Sequence, residues 1–179
     1  LLGFGCKLLY SGPRPHPDLA GPLGAVYTSF DDLLAQSDFV TIHCPLNEQT
    51  RDLFDARAFA RMKPSAILVN TSRGPVVDQD ALYTALTSEQ IAAAGLDVTT
   101  PEPLPADHPL LSLPNCVVLP HIGSATVATR VQMALMAADN LLAGVEGRPL
   151  PNAVNGFLQA DYTEQSTDCG ARKSVPLSA

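Results

Sequence analysis

Ala66-Ile-Leu-Val-Asn70, then Asp78-Gln-Asp-Ala-Leu-Tyr-Thr-Ala-Leu-Thr87, then Ala92-Ala-Ala-Gly-Leu-Asp-Val98 follow one another in a chain of 179 residues. The first is a short apolar run of strand length. The second sets Leu82 and Leu86 one turn apart on one helical face. The third is a strand of small residues. A helix between two strands that are apolar on both faces predicts a βαβ unit in a parallel sheet.

The same alternation extends both ways. Upstream, residues 6–10 and 24–28 are expected as short strands. Residues 11–19 form a loop that Pro13, Pro15 and Pro17 keep extended. Ser29 is placed to cap a helix over 30–36, with Asp31 and Asp32 in the first turn, where the helix dipole favours acids. Residues 38–45 hold the apolar run Phe-Val-Thr-Ile-His-Cys, which makes His43 an expected core residue. A short helix over 55–62 breaks before Pro64. Downstream, the Pro-rich loop 101–114 has a length more often functional than merely connecting. A strand over 116–119 leads to His121. The longest helix, 126–143, places Val127, Val131, Leu135, Ala138 and Leu142 on one face. From Asn152 the pattern fails, and residues 153–179 are expected as a disordered tail. Leu1 is not Met, so the chain is expected to be a fragment.

Composition narrows the function classes. Apolar residues make up 46% and charged residues 16%, an ordinary globular balance. A net charge of −7 argues against nucleic acid or an anionic membrane surface as a general partner. No apolar run reaches transmembrane length. Cys6, Cys44, Cys116 and Cys169 lie far apart with no C-x-x-C, so neither a metal site nor a disulfide framework is expected. A reducing, cytoplasmic setting fits.

In an open parallel sheet, ligands bind beyond the carboxyl ends of the strands. Those ends carry Ser11 and Arg14, then Pro45, then Thr71 and Arg73, then Asp97 and Glu102, then His121. A histidine there suits proton transfer near neutral pH, or it is simply bonded to backbone. Arg73 can fork onto a carboxylate or form a structural ion pair. Glu102 stands between Pro101 and Pro103, which restrict its backbone; it could orient an imidazole or be an exposed loop acid. Asp97 could bind a cofactor amide or cap the loop that follows. Gly3-Phe-Gly5 is rejected as a phosphate loop, because Leu8 takes the third glycine position and a strand follows instead of preceding it.

These residues, taken in order, resemble the D-isomer-specific 2-hydroxyacid dehydrogenases, on the glyoxylate reductase/hydroxypyruvate reductase branch. The runs that carry the likeness are Ser37-Asp-Phe-Val40 with Cys44-Pro-Leu46, Asn70-Thr-Ser-Arg-Gly-Pro-Val-Val77, Ile91-Ala-Ala-Ala-Gly-Leu-Asp-Val98, Pro101-Glu-Pro-Leu-Pro105, His108-Pro-Leu-Leu111 and Leu119-Pro-His-Ile-Gly-Ser-Ala-Thr126. Asn140-Leu-Leu-Ala-Gly144 and Pro149-Leu-Pro-Asn152 complete it. The resemblance implies a Rossmann-like doubly wound parallel sheet, truncated at its N-terminal strand and helix. Residues 1–152 would be a partial NAD(P)-binding domain. It implies Arg73, Glu102 and His121 as catalytic residues in the reduction of a small 2-oxo acid. Thr71, Asp97, Gly123 and Pro45 would line the cofactor. An acid after the second strand would favour NAD; Ser11 and Arg14 stand there instead, so NADP is expected, with NAD the alternative. The family's G-x-G-x-x-G and upstream substrate domain are not in the sequence, so the chain is expected to be inactive alone. A homodimer is expected. The competing class is a non-catalytic dinucleotide-sensing or scaffold protein on the same fold.

Overall fold

The computed structural model describes residues 2–154. Strands β1 (Leu9–Tyr10) and β2 (Val26–Tyr27) form a two-stranded sheet. Strands β3 (Phe39–Ile42), β4 (Ile67–Asn70), β5 (Ala93–Leu96) and β6 (Cys116–Val118) form a second sheet in that order. All neighbours pair in parallel, as a chain alternating strands with helices requires. The helices are α1 (Pro17–Ala20), α2 (Phe30–Gln36), α3 (Ala56–Arg61), α4 (Gln79–Thr87) and α5 (Val127–Val145). The chain divides into two compact units, Leu1–Gly123 and Ser124–Ala179.

Three helices start where an oxygen-bearing side chain meets free backbone amides. Ser29 Oγ accepts the Asp32 N–H at 3.1 Å. Asp55 Oδ1 accepts from Arg57 and Ala58 at 2.9 Å each, and Asp78 Oδ1 from Asp80 and Ala81 at 3.0 Å each. Each satisfies orphan donors of the first turn and fixes where the helix begins. One expectation fails upstream. Pro17 opens the short helix α1 rather than prolonging the extended loop, because proline's fixed φ suits the first helical position.

The first unit has a single apolar core. Phe59, Leu68, Leu82, Leu86, Ile91 and Leu110 are fully buried in it. Phe30 meets Phe54 edge-on, with ring centroids 5.3 Å apart. Strand alternation decides which residues enter. Val40, Ile42, Leu68, Asn70, Ala94 and Leu96 are buried, whereas Ile67, Val69, Ala93 and Gly95 are only half-buried. On the edge strand β3 the outward set is exposed. His43 shares that set with Phe39 and Thr41, so it is not the core residue expected: its ring lies 2.9 Å from Thr41 Oγ1, in solvent. A period of two overrides the apolar run.

In the second unit, Thr126 caps α5 by accepting the Thr129 N–H at 3.2 Å. The side chains of Val127, Val131, Leu135 and Leu142, the expected apolar stripe, are exposed. Asn140 and Asn152 bond to each other twice, at 3.0 and 3.1 Å. The expected tail lies, beyond Val154, outside the described residues.

Candidate active site

After Val118, the Leu119 N–H makes a last ladder bond to the Leu96 carbonyl at 2.8 Å. Pro120 follows, and the chain then turns sharply. His121 sits at φ +54°. A non-glycine residue in this left-handed region carries a steric penalty that its surroundings must offset. Here the surroundings are Asp97, buried just past β5. Its Oδ1 accepts the Ile122 N–H and its Oδ2 the Gly123 N–H, both at 2.8 Å. Two charge-assisted bonds to consecutive amides hold the turn from the carboxyl side. Gly123 is needed for this approach, because a Cβ there would lie 2.9 Å from Asp97 Oδ2.

The turn aims the ring at Glu102. His121 Nδ1 and Glu102 Oε1 are 2.5 Å apart, both partly open to solvent. With a carboxylate as partner, Nδ1 carries a proton and donates it, which leaves Nε2 outside this bond. The Thr100–Pro101 and Glu102–Pro103 bonds, on either side of the Pro101-Glu102 pair, are cis. Just upstream, Thr99 Oγ1 donates to the Pro101 carbonyl at 2.9 Å.

Beyond β4, the buried Asn70 shapes the turn that carries Arg73. Its Oδ1 accepts the Ser72 N–H and hydroxyl, both at 3.0 Å, and its Nδ2 donates to the Arg73 carbonyl at 3.0 Å. The exposed Arg73 guanidinium donates to the Ser72 carbonyl at 2.6 Å and makes no ion pair among the described residues. Gly74 presses against the next strand's loop so closely that a Cβ would stand 2.0 Å from the Thr99 carbonyl oxygen.

The four-stranded sheet therefore gathers Thr71 and Arg73 after β4, Asp97 and Glu102 after β5, and His121 and Gly123 after β6. Only Asp97 with Gly123 and Glu102 with His121 touch directly through side chains. Pro45 lies exposed after β3, its carbonyl accepting from Thr50 Oγ1 at 2.6 Å. Ser11 and Arg14 follow β1, in the other sheet. Each oxygen of Asp97 accepts one backbone amide and keeps a second lone pair for another donor. An open cleft of about 460 Å³ adjoins the pair, lined by Thr99, Glu102, Leu104, Leu111, Leu119 and Pro120. A larger one, about 610 Å³, is lined by Pro64, Ala92 and Asn115, which precede β4, β5 and β6. It thus opens at the amino ends of the strands, away from the histidine. Among the described residues no cluster of metal-ligating side chains is present.

The sequence profile described as D-isomer specific 2-hydroxyacid dehydrogenase, NAD binding domain, matches residues 1–123, the whole of the first unit. The chain belongs to the D-isomer specific 2-hydroxyacid dehydrogenase family. Glyoxylate reductase/hydroxypyruvate reductase of Homo sapiens is 54% identical over 146 residues, covering 82% of this chain and 44% of that protein. Glyoxylate/hydroxypyruvate reductase B of Citrobacter koseri is 53% identical over 153 residues, covering 86% and 47%. A crystal structure of D-lactate dehydrogenase with NAD+ from Lactobacillus jensenii superposes with a TM-score of 0.78 at 31% identity, covering 86% of this chain and 50% of that one. The chain thus spans about half the length of the relatives it matches. The parallel sheet fits a truncated Rossmann-like fold, and no helix among the described residues is long and apolar enough to cross a membrane.

Asn70, Ser72 and Thr99 shape the site without having stood out in the sequence. Asn70 ends a strand and is fully buried. A polar residue closing an apolar run just before Thr-Ser-Arg-Gly was the available signal.

Proposed function

We propose that this chain carries the proton-donating part of a reductase that converts a small 2-oxo acid of the glyoxylate or hydroxypyruvate type to its 2-hydroxy acid with a nicotinamide cofactor. The observation that carries the reading is the His121–Glu102 pair, 2.5 Å apart at the carboxyl edge of the sheet on a backbone held at φ +54°. Strained residues held by surrounding bonds concentrate at functional sites. A sensing or scaffold protein has no use for an oriented imidazole, so the pair favours the reductase.

The remaining residues fit one end of a dinucleotide. Thr71 is exposed and Gly123 leaves backbone open at the strand ends, as a nicotinamide and its ribose need. The sequence holds no G-x-G-x-x-G for the pyrophosphate. A bound nicotinamide supplies the hydride that adds to the carbonyl carbon. Doubly protonated, His121 donates its Nδ1–H to Glu102 and gives its Nε2 proton to the carbonyl oxygen, which leaves the neutral ring with its remaining proton on Nδ1. Arg73 offers two N–H groups to the substrate carboxylate once it leaves the Ser72 carbonyl. Asp97 holds the His121 turn and, through its remaining lone pairs, would meet the nicotinamide end of the cofactor.

We further assign NADP as the preferred cofactor. Arg14 is an exposed guanidinium near Ser11, at the end of β1 where a 2′-phosphate would lie. Pro45 would border the adenosine. Residues 1–152 would form the partial NAD(P)-binding domain. A cytoplasmic homodimer is proposed with it; Cys6, Cys44 and Cys116 are free thiols, which suits a reducing compartment.

The test is titration calorimetry with NADPH and NADH, followed by turnover of hydroxypyruvate and glyoxylate. Joined to the upstream half of a relative, which brings a G-x-G-x-x-G, the chain should bind and oxidise NADPH, and His121→Asn in that fusion should lose about 10²–10⁴-fold in kcat. Equal rates in the variant would overturn the mechanism. Binding without turnover in the fusion would favour the sensing reading, and a preference for NADH would refute the NADP assignment.

A further inference from the structure

Gln79 is the first residue of α4, and its side chain leaves the helix to grip a neighbouring loop. Its Nε2 donates to the Thr100 carbonyl at 2.5 Å, and its Oε1 accepts the Thr100 N–H at 2.7 Å. A carboxamide can both give and take, here on the C=O and the N–H of one residue. Thr100 stands two residues before Glu102. Gly74 backs the preceding residue, Thr99, at a distance that admits no Cβ. The segment between Gly74 and Gln79 is itself anchored from behind. Asp52 and Phe54 donate their N–H groups to the Pro75 and Val76 carbonyls at 2.9 and 3.1 Å, and Asp78 donates to the Phe54 carbonyl at 3.2 Å. One stretch of backbone thus begins with the turn bearing Arg73 and ends with the clamp on the loop bearing Glu102.

We propose that Gln79 is a positioning residue: its amide fixes the backbone on both sides of Thr100, and through it aims Glu102 at His121 Nδ1. The clamp makes the arginine turn and the glutamate loop one mechanical piece. The proposal rests on the reductase reading for the meaning of the pair, but not for its test. Thr100 is exposed and Gln79 only partly buried, so water can replace the lost bonds. Removing the clamp therefore costs little global stability while freeing the loop.

The readout is the tautomer of His121 in the full chain without cofactor, measured from long-range proton–nitrogen NMR at a pH where imidazoles are neutral. His121→Asn assigns its signals, and the exposed His43 is an internal control. The proton should reside on Nδ1 in the wild type. In Gln79→Glu, which sets an oxygen against the Thr100 carbonyl, and in Gln79→Ala, the His121 nitrogens should move toward an averaged tautomer. Thr100 amide exchange should rise tenfold or more while the fold persists. An unchanged tautomer with unchanged Thr100 exchange in both variants overturns the proposal, and so does loss of the folded state in both. If the fusion with the upstream half of a relative shows no turnover, the reductase reading fails while this measurement still decides the role of Gln79.

Discussion

Asp97 Oδ2 accepts the Gly123 N–H at 2.8 Å, and a Cβ on Gly123 would stand 2.9 Å from that same oxygen. The bond and the missing side chain are one requirement. Asp97→Asn keeps one acceptor but turns an amino group toward a backbone N–H, leaving a buried donor unsatisfied. It should cost about 1–3 kcal/mol in urea denaturation. A loss below about 0.5 kcal/mol would mean that the carboxylate is not what holds the turn.

The φ of +54° at His121 gives a test of stored strain that needs no assay of function. His121→Ala and His121→Gly both delete the ring and its bond to Glu102, so that loss cancels between them. What remains is the backbone. In ordinary extended or helical positions alanine is the more stable by about 0.5–1 kcal/mol. Here the left-handed penalty of about 1–2 kcal/mol falls on alanine alone. His121→Gly should therefore unfold at the higher denaturant concentration. The reverse order would show that the turn is relaxed.

Much of this was legible in the residues. Ser29, Asp55 and Asp78 mark helix starts because a short oxygen-bearing side chain ahead of an apolar period has one good use. The parallel sheet followed from apolar runs separated by helices. Glu102 and His121 could be paired because both follow strands that become neighbours. His43 misled because an apolar run does not say which face is covered, and on β3 the covered face belongs to Val40 and Ile42. The double grip of Asp97 on Ile122 and Gly123, 25 and 26 residues away, leaves no local pattern at all. Such contacts arise only once the sheet sets its strand ends side by side.

Burial pushes the Cys116 thiol from 9.0 up to about 11, and burial also raises that of Cys44. Below pH 9 folded and unfolded chains both hold the Cys116 proton. Between about 9 and 11 the unfolded chain releases it while the folded chain keeps it, so stability should fall as pH rises through that window. Cys116→Ala should flatten this part of the profile. Alkylation at pH 8 should modify the exposed Cys6 well before Cys116, whose thiolate is scarce there. Equal labelling rates at the two sites would contradict the burial described for β6.

Two glycines offer a controlled comparison of space. Gly74 has the Thr99 carbonyl oxygen and carbon 2.0 and 2.3 Å from where a Cβ would stand, whereas Gly95, on the half-open face of β5, has nothing within 4 Å. Neither has a left-handed φ, so alanine meets no backbone penalty at either. Gly95→Ala should be stabilising by about 0.4–1 kcal/mol, chiefly by restricting the unfolded chain. Gly74→Ala must push the Arg73 turn from the Thr99–Thr100 peptides, because the obstacle is backbone and cannot rotate aside. A cost of about 1–3 kcal/mol or more is expected from overpacking of this kind. The His121 tautomer should loosen with it, since the loop that is displaced carries Glu102. If Gly74→Ala matched Gly95→Ala in denaturation midpoint, the close approach of the two loops would be wrong, and with it the coupling of Arg73 to Glu102.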